Sequence, residues 1–277
     1  MEYSRRSLLI GAGMMSAGAL TTLPFGPNRA AAAERQPLRI PALIDARTRG
    51  NAITLRAQAG MTEFSPGQSS ATLGYNGGYL GPTIRVHQGD DVEIAVTNAL
   101  NEDTSVHWHG LLIPAELDGG PHQLIRPTAT WRPVLPIRQP AATLFYHSHV
   151  HGRTGTQVYS GLAGVLLVAD EAERALALPS DYGVDDLPLV IQDRQLEEGK
   201  LVVPHGMMTM MQGRRGNRIL VNGTPDATAR VPKRLVRLRL VNGSNARIYD
   251  LSFSDNRKFS WIATGEGCSN GLFTSAP

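Results

Sequence analysis

The sequence predicts an all-β protein of β-sandwich layers, and three observations carry that expectation. The 277 residues hold 29 glycines and 18 prolines against 18% charged residues, a composition suited to closely spaced turns. Short apolar segments alternate residue by residue, which is the period of a half-buried strand. At 42% hydrophobic, the chain can fill one large core or two medium ones.

The first 33 residues stand apart. Arg5 and Arg6 precede an apolar, glycine-broken run from Leu8 to Leu20, and Ala30 to Ala33 offer a cleavage site. Ser4-Arg5-Arg6-Ser7-Leu8-Leu9 is similar to a twin-arginine export signal. Residues 1–33 are therefore read as that signal, served by the twin-arginine export machinery and removed from a periplasmic or otherwise exported protein. The apolar run is short for a membrane span, and an uncleaved anchor is the rival reading. Arg5, Arg6, Arg29 and Glu2 account for two of the chain's three net positive charges. The rest is nearly neutral and shows no basic stripe interleaved with aromatics, so no nucleic-acid partner is expected. One cysteine, Cys268, rules out a disulfide within the chain.

Residues 34–178 read as the first domain. "NAITLRAQAG" (51–60) alternates partly. In "GPTIRVHQGDDVEIAVTNAL" (81–100), Ile84 and Val86 alternate with Arg85 and His87. Gly89-Asp90 turns the chain, and Val92, Ile94 and Val96 alternate again. That is a β-hairpin or a sharp strand corner. "ATWRPVLPI" (129–137) and "AATLFYHSHV" (141–150) follow as strands. "LAGVLLVAD" (162–170) is continuously apolar, as a strand buried on both faces is. "DEAERALAL" (170–178) has acids at its start and Pro179 beyond its end, which predicts a short helix.

Residues 179–186, "PSDYGVDD", read as a linker. A second β region (187–277) holds strands at 187–193, 217–223, 233–243, 246–254 and 257–264. In the third of these Val236, Leu238 and Leu240 alternate with Arg237 and Arg239, so that strand has one wet face. The tail after Thr264 has little periodicity, and a sandwich needs its last strands to close its sheet edges. The second domain therefore reads as incomplete.

The chemistry concentrates in "HWHG" (107–110) and "HSHVHG" (147–152), which hold five of the eight histidines. A strand has a side-chain period of two, so His107 and His109 share a face, as do His147 and His149. Along an unbent strand such residues lie about 6.5–7 Å apart, a spacing that suits neighbouring metal ions more than one shared ion. Imidazole favours copper, zinc, iron or nickel over magnesium or calcium. With neither cysteine nor acid inside either cluster, a structural zinc site fits poorly. Single histidines in strands are usually fillers, whereas two such pairs at strand ends, each followed by glycine, point to metal. Trp108 faces away from the pairs and packs. His87 reads as structural, and His122 and His205 as surface. "MMTMM" (207–211) is either soft-ligand chemistry for Cu(I) or adaptable packing.

"VHWHGLLIPAELDGGPHQLIRP" (106–127) and "PAATLFYHSHVHGRTGTQVYSGLAGVLLVAD" (140–170) resemble the amino-terminal domain of multicopper oxidases, in particular the bacterial laccase-like copper oxidases. The resemblance runs from about Leu73 to Ala263 through "GPTIRVHQGD", "DDLPLVIQDRQ", "ILVNGTPDA" and "VRLRLVNGSNARIYDLSFSDNRKF". It implies cupredoxin-like Greek-key β-sandwich domains, one complete and a second incomplete. It also implies a trinuclear copper cluster. His107 would bind the type 2 copper, His109 and His147 would share one type 3 copper, and His149 would bind the other. Asp118 matches an acid that assists proton delivery to the cluster; without the resemblance, Asp118-Gly119-Gly120 is equally a turn. His151 is expected to sit behind the ligands and support them by a hydrogen bond.

The same resemblance implies oxidation of phenols or cuprous ion, one electron at a time, coupled to reduction of dioxygen to water. That reaction also uses a type 1 copper held through a cysteine and four more cluster histidines from a last domain. Cys268, in "EGCSN", has no histidine beside it and is read as incidental. The chain is accordingly expected to be a truncated or frameshifted product, or a fragment, inactive alone. The alternatives are a non-catalytic periplasmic copper-binding protein and a structural, cell-division-type member of the fold, a branch without the copper ligands. A copper nitrite reductase is a weaker rival, since its His-Cys pairing is not seen.

Overall fold

In the computed structural model, residues 35–264 are described with their side chains and 267–274 by their backbone. The export-signal reading of residues 1–33 and the Cys268 side chain lie outside the described residues. The described residues form one compact unit.

β1 (Gln36–Pro37) lies outside the first sandwich and pairs parallel with Ala227–Thr228. The strands of the first sandwich are β2 (Leu43–Asp45), β3 (Ala52–Ser65), β4 (Gln68–Tyr75), β5 (Thr83–His87), β6 (Asp91–Asn98), β7 (His107–His109), β8 (Thr130–Trp131), β9 (Val134–Pro136), β10 (Ala142–His147) and β11 (Ala163–Ala169). One sheet has the order β2-β5-β11-β10-β7. The other runs β4-β3-β6-β8, with β9 also on β6. Parallel pairings of β2 with β5, β5 with β11 and β3 with β6 sit beside antiparallel ones, a cupredoxin-like sandwich. β5 and β6 lie in different sheets, so segment 81–100 is a strand corner and not a hairpin, turned at Gly89 with φ 92°.

The inward residues of β3, β5, β6, β10 and β11 make one core, with Leu55, Ile84, Ile94, Tyr146 and Leu166 almost wholly buried. β11 is buried on both faces. Its other side, Ala163, Val165 and Leu167, packs with Val190 and Val241 of the second β region. That is why its sequence is continuously apolar.

Two helices follow the histidine strands. α1 (Thr154–Ser160) is not among the elements that the sequence predicts. α2 (Glu171–Ala175) falls where the acids and Pro179 predict it, with Asp170 capping it by accepting the Glu173 N–H at 2.6 Å. Segment 179–186 is a hydrogen-bonded loop: the Asp181 carbonyl accepts from the amides of Val184, Asp185 and Asp186, and Tyr182 donates to the Pro41 carbonyl.

Beyond it lie β12 (Asp186–Glu197), β13 (Lys200–Val202), α3 (Met207–Gln212), β14 (Arg218–Val221), β15 (Thr224–Pro225), β16 (Ala227–Thr228), β17 (Arg237–Asn242), β18 (Ser260–Thr264) and β19 (Gly267–Thr274). β17 has one wet face, but it is the leucine face. Leu238 and Leu240 are 40% and 46% exposed, while Arg237 and Arg239 are buried. Arg239 forks onto Asp186 at 2.7 and 2.9 Å, and Arg237 meets Glu173 at 2.6 Å, so the buried charges are paired. Segment 246–254 is not a strand. Arg247 turns its side chain to Asp193 and to the Gly216 carbonyl, and Ser244 bonds Tyr249, so local polar contacts replace a ladder. The backbone of β19 pairs antiparallel with β18 in a segment that shows no strand period.

Candidate metal centre

The register of the edge strand β7 on its neighbour β10 assembles the histidines. β7 pairs antiparallel with β10, with His107 opposite His147 and Trp108 opposite Tyr146. Alternation sends Trp108 inward, where it is fully buried against Tyr146 and Trp131, and turns His107, His109 and His147 to the opposite face. The strand ends at His147, so His149 lies beyond it, yet its ring still stacks near His147 at 5.9 Å.

Ring nitrogens of His107, His109 and His147 lie within 4.8 Å of one another. His109 Nδ1 faces His147 Nε2 at 3.1 Å. The rings of His107 and His109 are 5.5 Å apart, closer than the unbent strand spacing, and His149 is 5.2 Å from His107. His151 does not continue the face. The chain turns after Val150, and His151 is exposed, without a hydrogen bond to the other histidines among the described residues.

Backbone carbonyls set the rings. His107 Nδ1 lies 3.1 Å from the Asp118 carbonyl, and His147 Nδ1 lies 2.8 Å from the Ser148 carbonyl. Each contact assigns the proton to Nδ1 and leaves Nε2 as the acceptor nitrogen, which in His147 meets His109 Nδ1. Burial, opposed by the Ser148 carbonyl and aided by the neighbouring imidazoles, pushes His147 down to about 4. Burial also lowers His109, with His107 and His149 adding to it. Both rings are therefore neutral donors at pH 7.

Asp118 arrives on the loop between β7 and β8. Gly119, at φ 70°, allows this close return: a Cβ there would sit 1.6 Å from the Val106 carbonyl oxygen. The Asp118 carboxylate Oδ1 is also 3.1 Å from His107 Nδ1. Burial raises the Asp118 pKa, and the adjacent His107 opposes that rise.

The donor set fits a soft or borderline transition metal. Two imidazole nitrogens on one tetrahedral ion at about 2.0–2.1 Å would stand roughly 3.3 Å apart, close to the observed contact of His109 with His147. His149 Nδ1 is buried without a hydrogen-bond partner. All-imidazole chemistry suits copper, zinc, iron or nickel. The other histidines stand away from the centre: His87 bonds Asp45 at 3.1 Å, and His122 and His205 are exposed. Sequence reasoning missed Gln157, which is buried behind the centre with a fully bonded side chain. An isolated glutamine carries no sequence signal of that role.

Residues 56–173 match the family model described as multicopper oxidase. The chain is 43% identical over 268 residues to the cell division protein FtsP of Salmonella typhimurium, covering 96% of this chain and 55% of that protein. It is 42% identical over 269 residues to FtsP of Escherichia coli, at the same coverage. Among solved structures it is similar to the laccase-like multicopper oxidase CueO of Ochrobactrum sp., with a TM-score of 0.82 and 41% identity over 86% of this chain and 54% of that one. A laccase of Pediococcus acidilactici gives 0.80 and 36%, over 87% and 53%. The chain spans about half the length of the curated relatives it matches. The family match runs across both histidine pairs, and residues 56–173 form a multicopper oxidase domain by that match.

Proposed function

We propose that His107, His109, His147 and His149 are one half of a trinuclear copper centre in a laccase-like multicopper oxidase. The observation that carries this reading is the 3.1 Å approach of His109 Nδ1 to His147 Nε2, with His107 beside them. By family pattern His107 holds the type 2 copper, His109 and His147 share one type 3 copper, and His149 holds the other. The bound copper supplies the electron chemistry that reduces dioxygen to water. The chain's own part is to hold neutral imidazoles in place and to bring a carboxylate to the edge of the centre. That carboxylate, Asp118, stands beside His107 where protons consumed by the reaction are relayed. The reducing substrate is a phenol or cuprous ion, and the protein works after export to the periplasm.

The 277 residues contain no His-Cys-His segment, so this chain by itself binds copper without oxidase turnover. Titration with Cu(II), followed by electron paramagnetic resonance and dioxygen uptake, tests both parts. Binding that His109→Ala/His147→Ala abolishes supports the reading. Binding no stronger than that of the double variant defeats it.

A second reading is favoured by the names of the curated relatives. FtsP is a cell division protein, and its identity to this chain, 42–44%, matches that of the Ochrobactrum oxidase at 41%. Identity does not separate a division role from an oxidase role; the four clustered histidines support the oxidase reading. Under the division reading, replacing all four histidines leaves a division-linked phenotype unchanged.

A further inference from the structure

Past the His107–His147 rung, the β7–β10 ladder ends, and another device holds the chain. Gln157 of α1 is 1% exposed, and its carboxamide uses all four of its hydrogen-bonding positions. Oε1 accepts from the Thr104 hydroxyl at 3.0 Å and from the Ser148 hydroxyl. Nε2 donates to the Glu102 carboxylate at 3.0 Å and to the Asp103 carbonyl at 2.9 Å. Ser148 lies between His147 and His149, and its carbonyl is the one that orients the His147 ring. Ser105, next to Thr104, accepts the His149 N–H at 2.9 Å. Segments 102–105 and 148–149, one leading into β7 and one leaving β10, are thus joined by this buried amide together with the direct bond of Ser105 to His149.

We infer that Gln157 is a positioning residue for the histidine centre, setting where His149 stands relative to the other three histidines. The inference rests on the copper reading of the site. A buried network with every group satisfied admits one arrangement; a partly satisfied one loosens or collapses. An apolar side chain at 157 leaves the Thr104 and Ser148 hydroxyls and the Asp103 carbonyl without this partner.

The test uses Gln157→Met in the full chain. Exchange of the His149 amide is expected to speed at least tenfold, while amides of β3 and β6 keep their protection. Cu(II) affinity is expected to fall about 10–100-fold, with an altered paramagnetic resonance spectrum. If Gln157→Met does not fold, Ser148→Ala removes one hydroxyl only and shows smaller changes in the same direction. Unchanged His149 exchange, or copper affinity and spectrum unchanged in the folded variant, overturns the positioning role alone. A wild-type chain that binds no Cu(II) overturns the copper reading instead.

Discussion

His147 stands directly across the β7–β10 ladder from His107, with ring centroids 5.3 Å apart, although 39 residues of loop and strand separate the two in sequence. His147 is the buried member of the centre, and its Nε2 meets His109 Nδ1. His147→Ala should therefore weaken Cu(II) binding at least about tenfold. His151→Ala, in the exposed turn four residues on, should leave it unchanged. Parallel calorimetric titrations compare the two, and equal losses would contradict the assignment of ligand and bystander.

Gly119 controls the approach of Asp118 to His107. Alanine there brings a methyl against the Val106 carbonyl and holds a non-glycine residue at φ 70°. The backbone must shift, at a cost of about 1–3 kcal/mol. The expected result is a lower urea midpoint for Gly119→Ala, together with weaker copper binding, because the Asp118 carbonyl that orients His107 moves away. A variant with unchanged midpoint and copper affinity would show that the loop tolerates another path.

Much of this is legible in the sequence, for reasons that name its limits. Period-two alternation alone puts His107 and His109 on one face and Trp108 on the other. Asp170 and Pro179 likewise bracket α2. Alternation in β17 shows that its two faces differ, but not which is inward. That choice depends on Glu173 and Asp186, which reach Arg237 and Arg239 from distant segments. The α1 sequence "TGTQVYS" is poor in strong helix formers, so propensity hides it. Its helix is held by Thr154 donating to the Val150 carbonyl and by the Gln157 network. His149 leaves the strand period altogether, and its place is set by Ser105, 44 residues away in sequence.

Arg239 is the centre of a buried ion pair linking β17 to the start of β12 and to α2. Asp186 is 1% exposed and accepts a two-pronged bond from Arg239, while Glu173 takes its other edge. Arg239→Met strands a buried carboxylate and should cost about 3–5 kcal/mol in urea unfolding. Arg239→Met/Asp186→Leu removes both charges and should recover a large part of that loss. A double variant as unstable as the single one would mean that packing, and not charge, limits this corner.

Asp193 makes stability depend on pH. Its carboxylate is fully buried, which by itself raises its pKa. The Gly216 N–H, the Arg247 guanidinium and Ser244 outweigh that burial and hold it below the usual value of 3.8. The folded state thus binds this proton less readily than the unfolded chain does. Stability from Asp193 is fully present above the ordinary carboxylate range and drains away as pH falls through the folded value. Urea midpoints measured from pH 7 down to pH 3 should fall for the wild-type chain below about pH 4. Asp193→Asn, which cannot titrate, should start lower at pH 7, because Arg247 loses its partner, and should show a shallower fall. Parallel curves for the two proteins would remove Asp193 as a source of acid sensitivity.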